Sequence, residues 1–305
     1  MQIGIVEPSD FSLKAIQSLK KIGDVSMYSK GNITDFLINK EIIFIRLNYF
    51  IGKDLLKNAT KLKYICTPTT GLNHLDLDFL EKKNIKVISL KNESHFLSDI
   101  RATPEHTIGL ILSLLRSYKI SFISEEDNFK REMYKGEELY ESKVGIIGYG
   151  RIGSILSKYL NAFDCKIYFF DIDKSIMAND NVIKCDSMDE LIERCSIICL
   201  TASYHSNVII RSREIDKMKN KYLINTSRGE LIDENYLIKK IEESHFKGVA
   251  IDVISNESKQ NNNLKKFLNI KDQNLIITPH IGGATFNSMQ RTEEFIVKKL
   301  KKLIQ

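Results

Sequence analysis

Short continuous apolar runs alternate with longer amphipathic stretches along the whole chain, beginning with MQIGIV at Met1. Apolar runs bounded by turn residues read as strands buried on both faces, and apolar positions three and four apart read as helices. This pattern predicts strands at the N-terminus and at residues 25–28, 42–46, 64–68 and 86–89, with helices at 10–22, 33–38, 53–59 and 75–83. A second series starts with KVGII at Lys143 and continues at 166–170, 197–201, 222–225, 248–252 and 275–278, six strands with helical stretches between. Residues 104–117, EHTIGLILSLLRS after a proline, suit a long buried helix joining the two series. The last segment, 284–303, places Met289, Phe295, Ile296, Val297, Leu300 and Leu303 at helical spacing and is expected to return to the first series. Strand–helix alternation of this kind predicts an α/β fold of two doubly wound parallel-sheet domains. The predicted division is 1–98 with 284–305 for one domain and 99–283 for the other.

Composition narrows the class. A length of 305 residues suits about two domains, and 43% hydrophobic with 28% charged residues is the balance of a globular protein. No apolar run has the length of a membrane span, and MQIGIVEPSDFSLKAI lacks a basic region followed by an apolar one. The expectation is a cytoplasmic protein with no membrane partner. The five cysteines, Cys66, Cys165, Cys185, Cys195 and Cys199, contain no CxxC and sit in or beside apolar runs. Buried thiols are expected, with neither zinc nor disulfides. The net charge of +6 comes from lysines spread on helical faces, such as Lys298, Lys299, Lys301 and Lys302, without the aromatic interleaving of a nucleic-acid module. A solvated face is the reading, and no nucleic-acid partner is expected.

The most informative stretch is KVGIIGYGRIG, in which an apolar run tips into Gly148-x-Gly150-x-x-Gly153 and an amphipathic stretch follows. Asp171 ends the next apolar run, KIYFF, 18 residues after the last glycine. Three glycines alone also occur in ordinary turns, but this strand–glycine–helix–strand–acid order is the dinucleotide fingerprint. Gly148 allows the bend, Gly150 lets a pyrophosphate approach the backbone, and Gly153 lets the helix pack on the sheet. The phosphates then face the free N–H groups and positive end of the new helix. Asp171 is placed to accept from ribose hydroxyls and to repel a 2′-phosphate, which favours NAD over NADP. Ile172 after it, rather than an arginine, points the same way.

Three further motifs follow apolar runs: Asn225-Thr-Ser-Arg228-Gly229, Asp252 through Glu257, and Thr278-Pro-His280-Ile-Gly-Gly283. All three are predicted to emerge at the carboxyl edge of the sheet, where a dinucleotide lies. Interconversion of a 2-hydroxy acid and a 2-oxo acid needs a cation for the carboxylate and carbonyl, and a proton donor beside the carbonyl oxygen. Arg228 offers a rigid fork of donors, and His280 is a side chain that exchanges a proton near neutrality. Glu257, bonded to the other imidazole nitrogen, would fix the tautomer and favour the protonated ring.

With GYGRIG, NTSRGELID, the DV-xxx-E spacing and TPHIGG in that order, the chain from about Ile42 onward resembles the D-isomer-specific 2-hydroxyacid dehydrogenase family, within it the D-3-phosphoglycerate dehydrogenase branch. The resemblance implies a Rossmann NAD-binding domain inserted into a discontinuous flavodoxin-like substrate domain, NAD as cofactor, a small 2-hydroxy or 2-oxo acid as partner, and a homodimer. It implies Arg228, Glu257 and His280 as catalytic residues, and Gly148, Gly150, Arg151, Ile152, Gly153, Asp171, Thr201, Asp252 and Gly282 as cofactor contacts, with Asp252 at the nicotinamide carboxamide. On the substrate side it implies Thr70 and Gly71, in the loop Thr69-Thr70-Gly71-Leu72-Asn73, and Arg46. Arg46 reads equally as a phosphate contact or as half of a structural salt bridge. His106 reads as a cap or packing residue of the long helix, and Arg101 as a further candidate anion contact. An NAD(H)-sensing, corepressor-like binding protein without turnover is the alternative, since such relatives share the fold and the triad.

The chain departs from the family pattern at Thr69, where glycine is usual, at Ser258 and Ala202, where proline is frequent, at Asn48-Tyr49-Phe50, and in the segment Phe96 to His106. These positions bear on the substrate more than on the reaction.

Overall fold

The computed structural model describes residues 1–122, 131–178, 181–204, 207–257 and 262–304. The chain divides into two compact units, Met1–Ile100 with Ala284–Gln305, and Arg101–Gly283. The first boundary falls at Ile100 because Leu97 and Ile100 are buried in the core of unit 1.

Unit 1 holds a five-stranded parallel sheet of β1 (Gln2–Ile5), β2 (Asp24–Met27), β3 (Ile42–Phe44), β4 (Tyr64–Cys66) and β5 (Lys86–Ile88), in the order β2-β1-β3-β4-β5. This is the flavodoxin-like order. Strand residues alternate between two cores, as a two-residue period requires. Ile3, Ile5, Ile42 and Phe44 point to one face, and Val6, Ile43 and Ile45 to the other. The last helix, Phe286–Ile304, completes the first of these cores with Ile296, Val297 and Leu300.

Unit 2 holds β6 (Lys143–Ile147), β7 (Lys166–Phe170), β8 (Val182–Lys184), β9 (Ile197–Leu200), β10 (Tyr222–Asn225), β11 (Gly248–Ile251) and β12 (Leu275–Ile277), all parallel, in the order β12-β11-β10-β9-β6-β7-β8. Read from β6, this is the doubly wound Rossmann order with one further strand, and it reverses between β6 and β9. Ile197, Cys199 and Ile224 pack on one side, Ile198, Leu200 and Leu223 on the other. Both faces being covered explains why these strands read as unbroken apolar runs.

Two expectations need correction. The sheet of unit 2 has seven strands rather than six: β8 is a three-residue edge strand whose Ile183 is 50% exposed, so it carries no burial pattern to read. The long helix runs Ala102–Leu115, starting before Pro104 rather than at it. Pro104 sits in the first turn, where its missing N–H removes no helical hydrogen bond. All five cysteines are buried free thiols. No helix among the described residues is long and apolar enough to cross a membrane.

Candidate active site

Register sets the site in unit 2. Phe170, Ile147, Leu200, Asn225, Ile251 and Ile277 stand side by side across parallel strands. The segments that begin at Asp171, Gly148, Thr201, Thr226, Asp252 and Thr278 therefore all leave the sheet at its carboxyl edge, around the point where strand order reverses. The ladder continues one step past the strands, through Gly148 N to Phe170 O, Thr201 N to Ile147 O, Asp252 N to Asn225 O and Thr278 N to Ile251 O, each 2.9 Å.

The three fingerprint glycines have three different surroundings. Gly148 has φ +91°, and a Cβ there would lie 2.3–2.4 Å from the Ala202 backbone, so both conformation and space demand glycine. At Gly150, the N-cap of the helix Arg151–Asn161, a Cβ would meet nothing, so this stretch of backbone stays open to a ligand. At Gly153 a Cβ would meet Gly148 O at 2.5 Å, which reports how closely that helix packs on the loop. Thr201 Oγ1 donates to Gly148 O at 2.7 Å. Asp171 Oδ2 accepts the Tyr149 N–H at 2.7 Å, and Oδ1 that of Asp173 at 2.9 Å. The acid thus ties the glycine loop to the end of β7. Arg151 and Ile152, both half-buried, open the helix. Burial, and after it the like charge of Arg101, lowers the Arg151 pKa. An open backbone at a helix N-terminus, a second cation and an acid at the end of the next strand fit a dinucleotide.

Arg228 follows β10. Asn225, buried there, holds the turn by donating from Nδ2 to Arg228 O and accepting the Ser227 N–H, each at 3.0 Å. Arg228 Nη1 donates to Ser227 O at 2.6 Å, and the rest of the guanidinium has no protein partner among the described residues. Glu257 Oε2 lies 2.5 Å from His280 Nδ1, and Glu257 Oε1 accepts the Ile254 N–H at 3.1 Å. With Nδ1 held by a carboxylate, Nε2 is the nitrogen left to exchange a proton. His280 has φ +53°, a conformation strained for a residue with a Cβ.

Asp252 holds that conformation. Its side chain is buried, and Oδ1 accepts from Thr278 Oγ1 at 2.6 Å and from the Ile281 N–H at 2.9 Å, while Oδ2 accepts from the Gly282 N–H at 2.8 Å. The His280 N–H donates to the Asp252 carbonyl at 2.8 Å. His106 Nε2, from the long helix, is 3.3 Å from Asp252 Oδ1 and 3.1 Å from Thr278 Oγ1. Burial pushes the Asp252 carboxyl up, but the hydrogen bonds from His106, Thr278, Gly282 and Ile281 outweigh it and hold its pKa below the ordinary value. Asn225 and His106 are supports that the sequence left unassigned or assigned to packing. The motif Asn225-Thr-Ser-Arg228 contained the first, but nothing in the chain pattern ties His106 to a residue 146 positions away.

In unit 1, Thr70 and Gly71 follow β4, and their backbone N–H groups make no hydrogen bond among the described residues. The unusual Thr69 staples this loop: its Oγ1 donates to Gly71 O at 2.9 Å and lies 3.0 Å from Thr67 Oγ1, which lies 3.3 Å from His74 Nε2. Arg46 is found in a salt bridge. Its Nη2 and Nε donate to Glu293 Oε1 at 2.5 and 3.1 Å, and its Nη1 to Ser9 O at 2.8 Å. Glu293, 0% exposed, accepts the Ser12 N–H through Oε2.

Comparison with known proteins identifies the family. Residues 108–282 match the family model of the D-isomer specific 2-hydroxyacid dehydrogenases, NAD binding domain. A glyoxylate reductase of Thermofilum pendens is 30% identical over 279 residues, covering 86% of this chain and 78% of that protein. A D-3-phosphoglycerate dehydrogenase of Methanocaldococcus jannaschii is 28% identical over 300 residues, 95% of this chain and 55% of the other. The crystal structure of D-lactate dehydrogenase from Aquifex aeolicus, complexed with NAD and lactic acid, superposes with a TM-score of 0.82 at 28% identity over 99% of this chain and 95% of that one. The chain belongs to the D-isomer specific 2-hydroxyacid dehydrogenases, NAD-dependent oxidoreductases of Rossmann-type fold.

Proposed function

We propose that the protein interconverts a small D-2-hydroxy acid and its 2-oxo acid, with Arg228, Glu257 and His280 as the reacting set. The 2.5 Å contact between Glu257 and His280 Nδ1, on loops that leave the same sheet edge as Arg228 and the glycine loop, carries this reading. Arg228 has guanidinium donors without partners among the described residues and would hold the substrate carboxylate and polarise its C2 oxygen. His280 Nε2 would take the proton of the C2 hydroxyl in oxidation and return it in reduction. Glu257 would stabilise the imidazolium that forms. When bound, NAD supplies the hydride acceptor at nicotinamide C4. Gly148, Gly150, Arg151, Ile152, Gly153 and Thr201 would border the pyrophosphate and nicotinamide half of the cofactor, and Asp171 its adenosine ribose. Asp252 would contact the nicotinamide carboxamide, and Gly282 would border the cofactor. On the substrate side, the N–H groups of Thr70 and Gly71 would take the carboxylate. The resemblance supports a homodimer, which sedimentation of the purified protein tests.

Steady-state oxidation of NADH with a panel of 2-oxo acids tests the reaction. His280→Gln should lose mainly kcat, and Arg228→Ala mainly kcat/KM. Wild-type turnover in both variants, or NADH binding without turnover of any acid on the panel, would overturn the assignment. Two readings of the acid compete: the phosphoglycerate-like motifs favour a phosphorylated substrate, whereas the Arg46–Glu293 pair favours an unphosphorylated one.

A further inference from the structure

We infer that Glu293 and Glu7 make Arg46 a structural cation rather than a phosphate receptor, and that the enzyme therefore selects unphosphorylated 2-oxo acids; this rests on the dehydrogenase reading above. Three neighbouring strands of unit 1 deliver the residues to one edge. Ile5 pairs with Phe44 and Phe44 with Cys66, so Glu7, Arg46 and the loop of Thr70 and Gly71 all follow the carboxyl ends of β1, β3 and β4. That edge is where an open parallel sheet receives its ligand.

Beyond the Thr70–Gly71 loop, the two groups there that could receive a phosphate, the Arg46 guanidinium and the backbone after β3, each have a carboxylate on them. Glu293 Oε1 takes two guanidinium donors of Arg46, and Ser9 O takes a third. Glu293 is itself fixed by the Ser12 N–H at 2.7 Å, so it cannot swing away without exposing a buried donor. The second receptor is the backbone after β3. There the Arg46 N–H donates to the Glu7 carboxylate at 3.1 Å, so a side chain of the protein already occupies this backbone donor. With Glu293 ionised against Arg46 the corner is neutral, and an ionised Glu7 makes it negative. A phosphate ester, carrying a charge of about −1.5 to −2 at neutral pH, would find Arg46 already compensated by Glu293 in this corner. The N–H groups of Thr70 and Gly71, without partners among the described residues, are donors for the carboxylate beside the oxo group of a 2-oxo acid.

The test is a matched pair of acids, 3-hydroxy-2-oxopropanoate and its 3-phosphate ester, each reduced with NADH. The wild-type enzyme should have a kcat/KM at least tenfold higher for the unphosphorylated acid. Glu293→Gln removes the charge and leaves one acceptor oxygen, so that either the Arg46 guanidinium or the Ser12 N–H loses its partner. It should narrow the ratio at least threefold, through the KM of the ester rather than through kcat. Glu7→Gln is the parallel variant, used should the first lose its cooperative thermal transition. An equal or reversed wild-type preference, or an unchanged ratio in a folded variant, overturns the inference and leaves the dehydrogenase reading standing. Turnover of neither acid by the wild type, nor of any other acid on the panel, overturns both.

Discussion

Replacing Asp252 by asparagine separates two roles for this buried acid. The carboxylate, 2% exposed, accepts from Thr278 Oγ1, the Ile281 N–H and the Gly282 N–H, with His106 beside it. In Asp252→Asn one oxygen becomes an NH2 group, which cannot accept. The least costly arrangement keeps Oδ1 with Thr278 and Ile281 and turns the NH2 toward the Gly282 N–H, so that two donors face each other in a buried place. Losing one hydrogen bond to a charged acceptor and stranding its donor costs about 1.5–3 kcal/mol. For a domain of this size that lowers the thermal midpoint by about 3–12 °C. The same energy is what holds the segment Thr278 to Gly282, with His280 at φ +53°, so kcat should fall by about 10- to 150-fold. Differential scanning calorimetry and NADH-coupled kinetics read the two effects. An unchanged midpoint and kcat, with only the KM for NADH raised, would refute the reasoning and assign Asp252 to the cofactor alone. The acid limb adds a signed check. The folded pKa lies below the ordinary value of 3.8, so the contribution of Asp252 is full above the unfolded value and lost as pH falls through the folded one. The stability gap between wild type and variant should therefore close on acidification below about pH 4.

Gly148→Ala should prevent accumulation of folded protein or abolish NADH binding measured by fluorescence, because its φ of +91° and the Ala202 backbone at 2.3 Å leave no place for a methyl group. Wild-type affinity in that variant would mean that the loop adopts another path. Glu7 has the opposite sign to Asp252. Burial raises its pKa above 4.5, so its contribution is full below that value and lost as pH rises through the folded pKa. Urea titrations should find Glu7→Gln gaining stability relative to wild type between pH 4 and pH 8, and a constant difference would be contrary. The thiols of Cys165 and Cys185 are pushed up to about 11 and that of Cys195 to about 12 by burial, with Cys66 and Cys199 higher still. At pH 8 a thiol-specific disulfide reagent should label none of the five rapidly until denaturant is added, and fast labelling of a native thiol would contradict the packing.

Strand positions in unit 2 were legible because both faces of a parallel sheet are buried. Lys166–Phe170 and Tyr222–Asn225 agree to the residue with their apolar runs. The edge strand β8 was not, because Val182–Lys184 has no buried face to leave a pattern. Glycine spacing and the acid at 171 were visible because backbone approach and positive φ tolerate one residue type. The pairing of Glu257 with His280 was anticipated from chemistry. The supports were not: His106 reaches Asp252, and Glu293 reaches Arg46, only through tertiary folding across 146 and 247 positions. A sequence names such side chains without naming their partners, which is why Arg46 stayed evenly poised between ion pair and phosphate contact.

The helix Phe286–Ile304 fills a core whose strands were all made near the other end of the chain. During synthesis β1 to β5 leave the ribosome before unit 2, yet Ile3, Ile5 and Phe44 have no Ile296, Val297 or Leu300 to bury them until all of unit 2 has emerged. Unit 2, whose residues 101–283 are contiguous, can fold while unit 1 waits. In the nascent chain the N-terminal sheet is thus the aggregation-exposed part, and chaperone dependence and sensitivity to C-terminal deletion should both concentrate there.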